Sequence, residues 1–164
     1  YSRAGRQRHA PEAIDAAALV RNAFDLLAPP PGFALLVAEP LPCFDGERSP
    51  LEAVLRNLLD NAIKHHHQPQ CGHVTVSASA TGAWIEFAVS DDGPGIEPEY
   101  HERIFQIFQT LAPRDQVEGS GVGLSLVKKL VESRGGVVSV QSTPGAGATF
   151  RFTWPALPEP AAEA

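Results

Sequence analysis

The chain has 164 residues, enough for one domain with a sizeable core, and its 43% apolar and 20% charged residues are ordinary for a globular unit. Thirteen Lys+Arg against 19 Asp+Glu leave a formal net charge of −6, which argues against a broad nucleic-acid surface but leaves room for a small anion site. No apolar run approaches the ~18 residues that span a bilayer, and the polar, basic start "YSRAGRQRHA" is no signal peptide, so the expectation is a cytoplasmic chain without membrane contact.

In chain order, residues 1–10 carry no packing pattern and read as a linker or the remnant of a preceding element; with no initiator Met, the chain reads as a piece cut from a longer protein. The run "AAALVRNAFDLL" places Ala18, Leu19, Ala23, Leu26 and Leu27 at helical spacing, with Asp15 as N-cap, and "APPPG" ends it. "FALLVAE" reads as a strand and "LPCFDGER" as a strand end or loop. In "SPLEAVLRNLLDNAIKHH", Ser49 can cap a helix, Pro50 suits its first position and Glu52 completes a capping box, with the helix running to about His66. "HVTVSASA" and "WIEFAVSD" alternate apolar and polar residues around "TGA", as an antiparallel pair does.

"DGPGIEPE" is a turn and "YHERIFQIF" a short helix, followed by an aperiodic loop, "QTLAPRDQVEGSG". "VGLSLVKKLVESR" is amphipathic, with Leu124, Val127, Leu130 and Val131 inward and Gly135 as its stop. "VVSVQS" and "ATFRFTW" make a last hairpin in which Phe150, Phe152 and Trp154 share a face. The tail at 156–164 has a disordered composition. The domain proper spans 11–155, and the mixture predicts an α+β fold: a two-layer α/β sandwich, its mixed, mostly antiparallel sheet packed on about three helices. Cys43 and Cys71 lack metal-ligand spacing and read as free thiols.

Four stretches carry possible chemistry. In "RNLLDNAIKH", Asn57, Asn61 and Lys64 fall within about 60° of one another at the edge of an apolar stripe. Amide oxygens are hard donors of the kind Mg²⁺ accepts, and a lysine one turn on can meet a phosphate; a solvated helix edge explains the same spacing. In "SDDGPGI", Asp91 ends a strand before a sharp turn and could accept a hydrogen bond from an exocyclic amine, or merely close an acidic turn. In "EGSGVGLSLVKKL", Gly119, Gly121 and Gly123 lead into a helix whose free N–H groups suit an anion, without being a P-loop or a dinucleotide fingerprint. "TPGAGATF" could simply close a hairpin.

Their order across residues 12–154 resembles the ATP-binding catalytic domain of sensor histidine kinases, in the wider superfamily of gyrase, heat-shock chaperone and mismatch-repair ATPases. The resemblance implies the left-handed, Bergerat-type α/β sandwich, with ATP and Mg²⁺ bound. It gives Asn57 and Asn61 to the N box, with Asn61 holding Mg²⁺ and Lys64 reaching a phosphate. It gives Asp91 the adenine amino group, with Gly93 and Gly95 shaping that pocket. Phe105 and Phe108 become the F box, residues 109–120 the lid, and Gly119, Gly121, Val122 and Gly123 the phosphate loop. Thr149 would stand near the adenine and Asp91, and Ile96, Leu124 and Phe152 would wall the base pocket; Arg114 is a candidate γ-phosphate contact. "RIFQIFQTLAPRD" is similar to the corresponding segment of phytochrome-like kinases.

Two departures refine this. Histidine-accepting kinases carry the acceptor in a context like H-E-[IL]-[RK]-x-P on a dimerisation helix, and His9, His65, His66, His67, His73 and His101 all lack it. The implied partners are therefore a separate dimerisation domain bearing the histidine and a response regulator's receiver domain. The superfamily's ATP-hydrolysing clamps and serine kinases place a Glu four residues before the metal-binding Asn; here that place is Asn57, which cannot serve as a base. A nucleotide-binding interaction module without catalysis is the remaining alternative.

Overall fold

The computed structural model describes residues 9–106 and 123–157. Among the described residues seven strands and three α-helices follow one another: β1 (Glu12–Asp15), α1 (Ala16–Leu26), β2 (Ala34–Val37), β3 (Cys43–Gly46), α2 (Arg48–Lys64), β4 (His73–Thr81), β5 (Trp84–Asp91), α3 (Gly123–Glu132), β6 (Val138–Ser142) and β7 (Ala148–Pro155). Five strands form one sheet in the order β2-β4-β5-β7-β6, in which only β2 and β4 run parallel. β1 and β3 pair antiparallel as a separate ribbon.

The sheet buries one face against the helices. Along β5, Ile85, Phe87 and Val89 point inward, and along β7 Ala148, Phe150, Phe152 and Trp154 do, as period-two alternation requires. Phe87 stacks on Phe152 at 4.9 Å, and Trp154 meets Phe152 edge-on at 6.4 Å. From the helix side Leu51, Val54, Leu55, Leu58, Leu59 and Ala62 of α2 close on them, so the predicted stripe is the buried face. Val127 and Val131 of α3 are buried, with Leu124 and Leu130 packed at the margin. Asp15 caps α1 by accepting the Ala18 N–H at 3.2 Å. After α3, the Gly136 N–H returns to the Val131 carbonyl at 3.0 Å, while Gly135 takes a φ of +80°.

Several expectations are corrected. In α1 the buried stripe is Ala16, Leu19, Val20, Ala23 and Phe24, rotated from the expected one, so Ala18 is exposed and Leu26 is 72% exposed. Glu47, not Ser49, is the N-cap of α2, and Ser49 and Pro50 lie inside the first turn, where proline is tolerated. The Glu47 carboxylate makes no cap bond because Arg134 holds it, at 3.2 and 3.1 Å, and Arg134 in turn lies 5.0 Å from the centre of the Trp154 ring. α2 ends at Lys64, two residues short of the expected His66. Where a short helix was expected over residues 100–108, the described part holds 3₁₀ turns, Pro98–Tyr100 at its start and Arg103–Phe105 within it; residues 107 and 108 lie outside the described residues. "LPCFDGER" contains β3, paired with the unforeseen β1. Cys43 and Cys71 are both free and exposed. Among the described residues, no helix is long and apolar enough to cross a membrane.

Candidate functional site

The site begins where β5 ends. Asp91 continues the inward-facing row of Ile85, Phe87 and Val89, but one pair of residues beyond the apolar core. A carboxylate there has lost much of its water, and burial pushes its pKa up. The N–H groups of Gly93, at 2.9 Å from Oδ1, and Ala148 draw it back down, while Asp92 adds to the rise. The net shift is upward. The donors also fix the carboxylate's orientation. Gly93 is needed for that contact, since a Cβ there would lie 2.9 Å from Asp91 Oδ1. Gly95 turns the loop at φ +77°, with its Cα face against the Thr143 carbonyl, where a Cβ would come within 2.3 Å.

A second edge comes from α2. Asn57 donates from Nδ2 to the Ala53 carbonyl at 2.6 Å, which leaves Oδ1 facing the first residue of α3. A Cβ on Gly123 would stand 3.1 Å from that oxygen, so glycine lets the helices approach. Asn61, one turn on, is half-buried. Lys64 closes the line and pairs with Asp60 at 3.0 Å, an exposed contact that a phosphate could compete for. Next to it, His65 is an exposed residue, yet desolvation of its imidazole lowers its pKa against the pull of Asp60 and Asp91.

Two neutral amide oxygens suit Mg²⁺ that arrives with its charge already balanced by phosphates. Asn57 Oδ1 could serve as one such donor, since the helix bond is made by Nδ2 and not by the oxygen. Among the described residues, no three His, Cys, Asp or Glu side chains gather as a metal site, the His65–His67 run included.

Two expected pocket residues fall elsewhere. Thr149 lies on the opposite face of β7, where its Oγ1 bonds Ser90 Oγ at 2.7 Å; the residue opposite Asp91 is Ala148. Phe152 is paired with Phe87, four residues along β5 from Asp91 or roughly 13 Å of strand, and is sealed in the core. Ile96 and Leu124 are partly buried at the margin of the core, with the Ile96 N–H held by Ser142 Oγ at 2.8 Å. Phe105 meets Phe150 edge-on at 6.1 Å. Phe108, Arg114, Gly119, Gly121 and Val122, with the expected lid, lie outside the described residues.

Sequence reasoning missed Ala148 and Gly147 at the start of β7, and Asp92 with its histidines. Only strand register could have separated Ala148 from Thr149. For Asp92, the doubled acid in "SDDG" was the one available signal.

Residues 46–158 match the family described as histidine kinase-, DNA gyrase B- and HSP90-like ATPase. The chain is 38% identical over 115 residues to the phytochrome-like protein Cph1 of Synechocystis, covering 70% of this chain and 15% of that protein. It is 40% identical over 116 residues to the sensor-like histidine kinase SenX3 of Mycobacterium bovis, covering 70% of this chain and 28% of that one. The chain thus spans less than a third of these relatives. The crystal structure of full-length ShkA in complex with AMPPNP superposes with a TM-score of 0.76 at 31% identity, over 93% of this chain and 32% of that one. The chain belongs to the histidine kinase-, DNA gyrase B- and HSP90-like ATPase family, and within it to the ATP-binding catalytic domains of sensor histidine kinases.

Proposed function

We propose that the chain binds Mg-ATP and supplies the catalytic half of a two-component sensor kinase, passing the γ-phosphoryl to a histidine on a separate dimerisation domain for relay to a response regulator's receiver domain. The observation that carries this reading is a half-buried, amide-held Asp91 at the end of β5 together with the Asn57–Asn61–Lys64 line on α2, the ends of the two elements being joined by the His66–Asp92 hydrogen bond. Asp91 can accept a hydrogen bond from the adenine amino group, while the line meets the phosphates.

In the transfer, the bond from the γ-phosphorus to the β–γ bridging oxygen breaks, a phosphorus–nitrogen bond forms to the imidazole, and ADP leaves. A neutral imidazole nitrogen attacks, so the protein need not supply a strong base. Asn57 at the place of a base fits that demand and disfavours activation of water. The chain's contribution is positioning and charge neutralisation: Asp91 orients the base, Lys64 faces phosphate charge, and the opening of α3 brings N–H groups near it. Asn61 and Asn57 would hold Mg²⁺, which supplies further charge neutralisation on the phosphates. Arg114, Gly119, Gly121 and Val122 complete the phosphate side in this reading, and Phe108 braces the lid.

Incubation of the chain with ATP and a histidine-bearing dimerisation domain tests the proposal. Acid-labile phosphate on the added domain, and little or none on the chain alone, is expected. ATP binding with no transfer to any such domain would favour a nucleotide-binding interaction module. Phosphate release to water in place of transfer would favour a hydrolytic clamp.

A further inference from the structure

Beside Asp91, a carboxylate without a role in nucleotide contact gathers more partners than a surface acid requires. Asp92 has a side chain 49% exposed, so water alone could satisfy it. Instead its Oδ1 accepts from His66 Nε2 at 2.7 Å and from the His73 N–H at 2.8 Å. Its Oδ2 bonds the His73 ring at Nδ1, again at 2.7 Å, and its own N–H reaches the His73 carbonyl at 3.3 Å.

His66 is the buried member, with a side chain 3% exposed. Its Nδ1 accepts the Gln68 N–H at 2.9 Å, which assigns the ring proton to Nε2 and makes that nitrogen the donor to Asp92. The ring stands edge-on to Phe33 at 5.5 Å and stacks on His67 at 5.0 Å. It fills a slot between two glycines: a Cβ on Gly72 would lie 2.8 Å from His66 Nε2, and one on Gly93 would lie 3.7 Å from His66 Cδ2. Three segments therefore meet at one carboxylate: the turn after α2, the start of β4, and the loop after β5. That loop carries Gly93, whose N–H orients Asp91.

We propose that His66 and Asp92 are positioning residues, which lock the loop after β5 to the end of α2 and so hold the Asp91 carboxylate in fixed relation to Asn57, Asn61 and Lys64. The inference rests on the nucleotide reading above. The clamp crosses the two parts of the site, tying the strand that carries Asp91 to the helix that carries the phosphate line. Loss of the clamp leaves Asp91 present but lets its loop drift. Recognition of the exocyclic amine then suffers more than phosphate contact does.

Calorimetric titration of wild type and Asp92→Ala with ADP and with inosine diphosphate, which has an oxo group in place of the amine, tests this. Asp92→Ala is expected to weaken ADP about tenfold while leaving inosine diphosphate within about twofold. The double variant with Asp91→Asn should bind ADP no more weakly than Asp91→Asn alone, as residues acting through one another do. His66→Gln, which can place an amide N–H near the lost ring nitrogen, should keep most of the ADP affinity that His66→Ala loses. Equal losses for both nucleotides, unchanged ADP affinity, or an additive double variant would overturn the positioning role. Wild-type chain that binds no ADP would overturn the proposed function, and this inference with it. If His66→Ala does not fold, the surface variant Asp92→Ala still decides.

Discussion

Gly147 stands directly against the backbone of Asp91: a Cβ built on the glycine would lie 2.0 Å from the Asp91 carbonyl oxygen. The glycine also holds a φ of +78°, which side chains of L-residues rarely adopt. Both facts come from one requirement. β7 must start close enough to β5 for the Ala148 N–H to reach the Asp91 carboxylate. Gly147→Ala should therefore destabilise the chain by about 1–3 kcal/mol from backbone strain, and weaken ADP binding as well. A denaturant melt with calorimetry checks both; unchanged stability and affinity would show that β7 tolerates displacement there.

Thr149 and Ala148 make a sharper contrast. Thr149 faces away from Asp91 and bonds Ser90 at 2.7 Å. Thr149→Val should cost about 1 kcal/mol of stability through that lost hydrogen bond, with ADP affinity unchanged. A clear loss of affinity, read by titration, would return Thr149 to the pocket.

The two neighbouring aspartates should respond to acid in opposite senses. Burial raises the folded-state pKa of Asp91. Only the ionised carboxylate accepts from an amine through either oxygen, so ADP affinity should fall as pH drops through that value, beginning above the ~3.9 of an ordinary aspartate. A raised folded pKa also means that ionised Asp91 costs stability above it. Asp91→Asn should thus raise the melting temperature of the nucleotide-free chain at neutral pH while lowering ADP affinity at least tenfold.

Asp92 has the reverse sign. Burial would push its pKa up, but hydrogen bonds from the His73 ring and N–H and from His66 outweigh it and hold the carboxyl well below the usual range. A depressed pKa contributes stability that is present above the unfolded value, near ~3.9, and lost as pH falls through the folded one. The stability difference between wild type and Asp92→Asn should therefore be largest near neutral pH and shrink below about pH 4. A constant difference across that window, measured by chemical denaturation, would contradict the clamp's ionic character.

Legibility from sequence followed the range of the interaction. The α2 stripe was readable because 3.6-residue periodicity is local, and it places Asn57, Asn61 and Lys64 along its edge without any tertiary information. Asp91 was readable from a strand ending before glycines. Thr149 was misplaced because which residue of "ATF" faces the core depends on register with β5, and a one-residue choice reverses the face. The Glu47 cap was hidden because its carboxylate is taken by Arg134, 87 residues away. The Asp92 clamp joins residues 19 and 26 positions apart, and only the folded sheet brings them together.

In the proposed function, Asp91 and the α2 line form one Mg-nucleotide site. Calorimetric titration of the chain with ADP, with and without Mg²⁺, alongside Asp91→Asn and Asn61→Ala, tests it most directly. The expected result is binding that Mg²⁺ strengthens, that Asp91→Asn weakens at least tenfold with or without the metal, and that Asn61→Ala weakens only when Mg²⁺ is present. No binding by the intact chain at millimolar nucleotide, or binding indifferent to both substitutions, would contradict it.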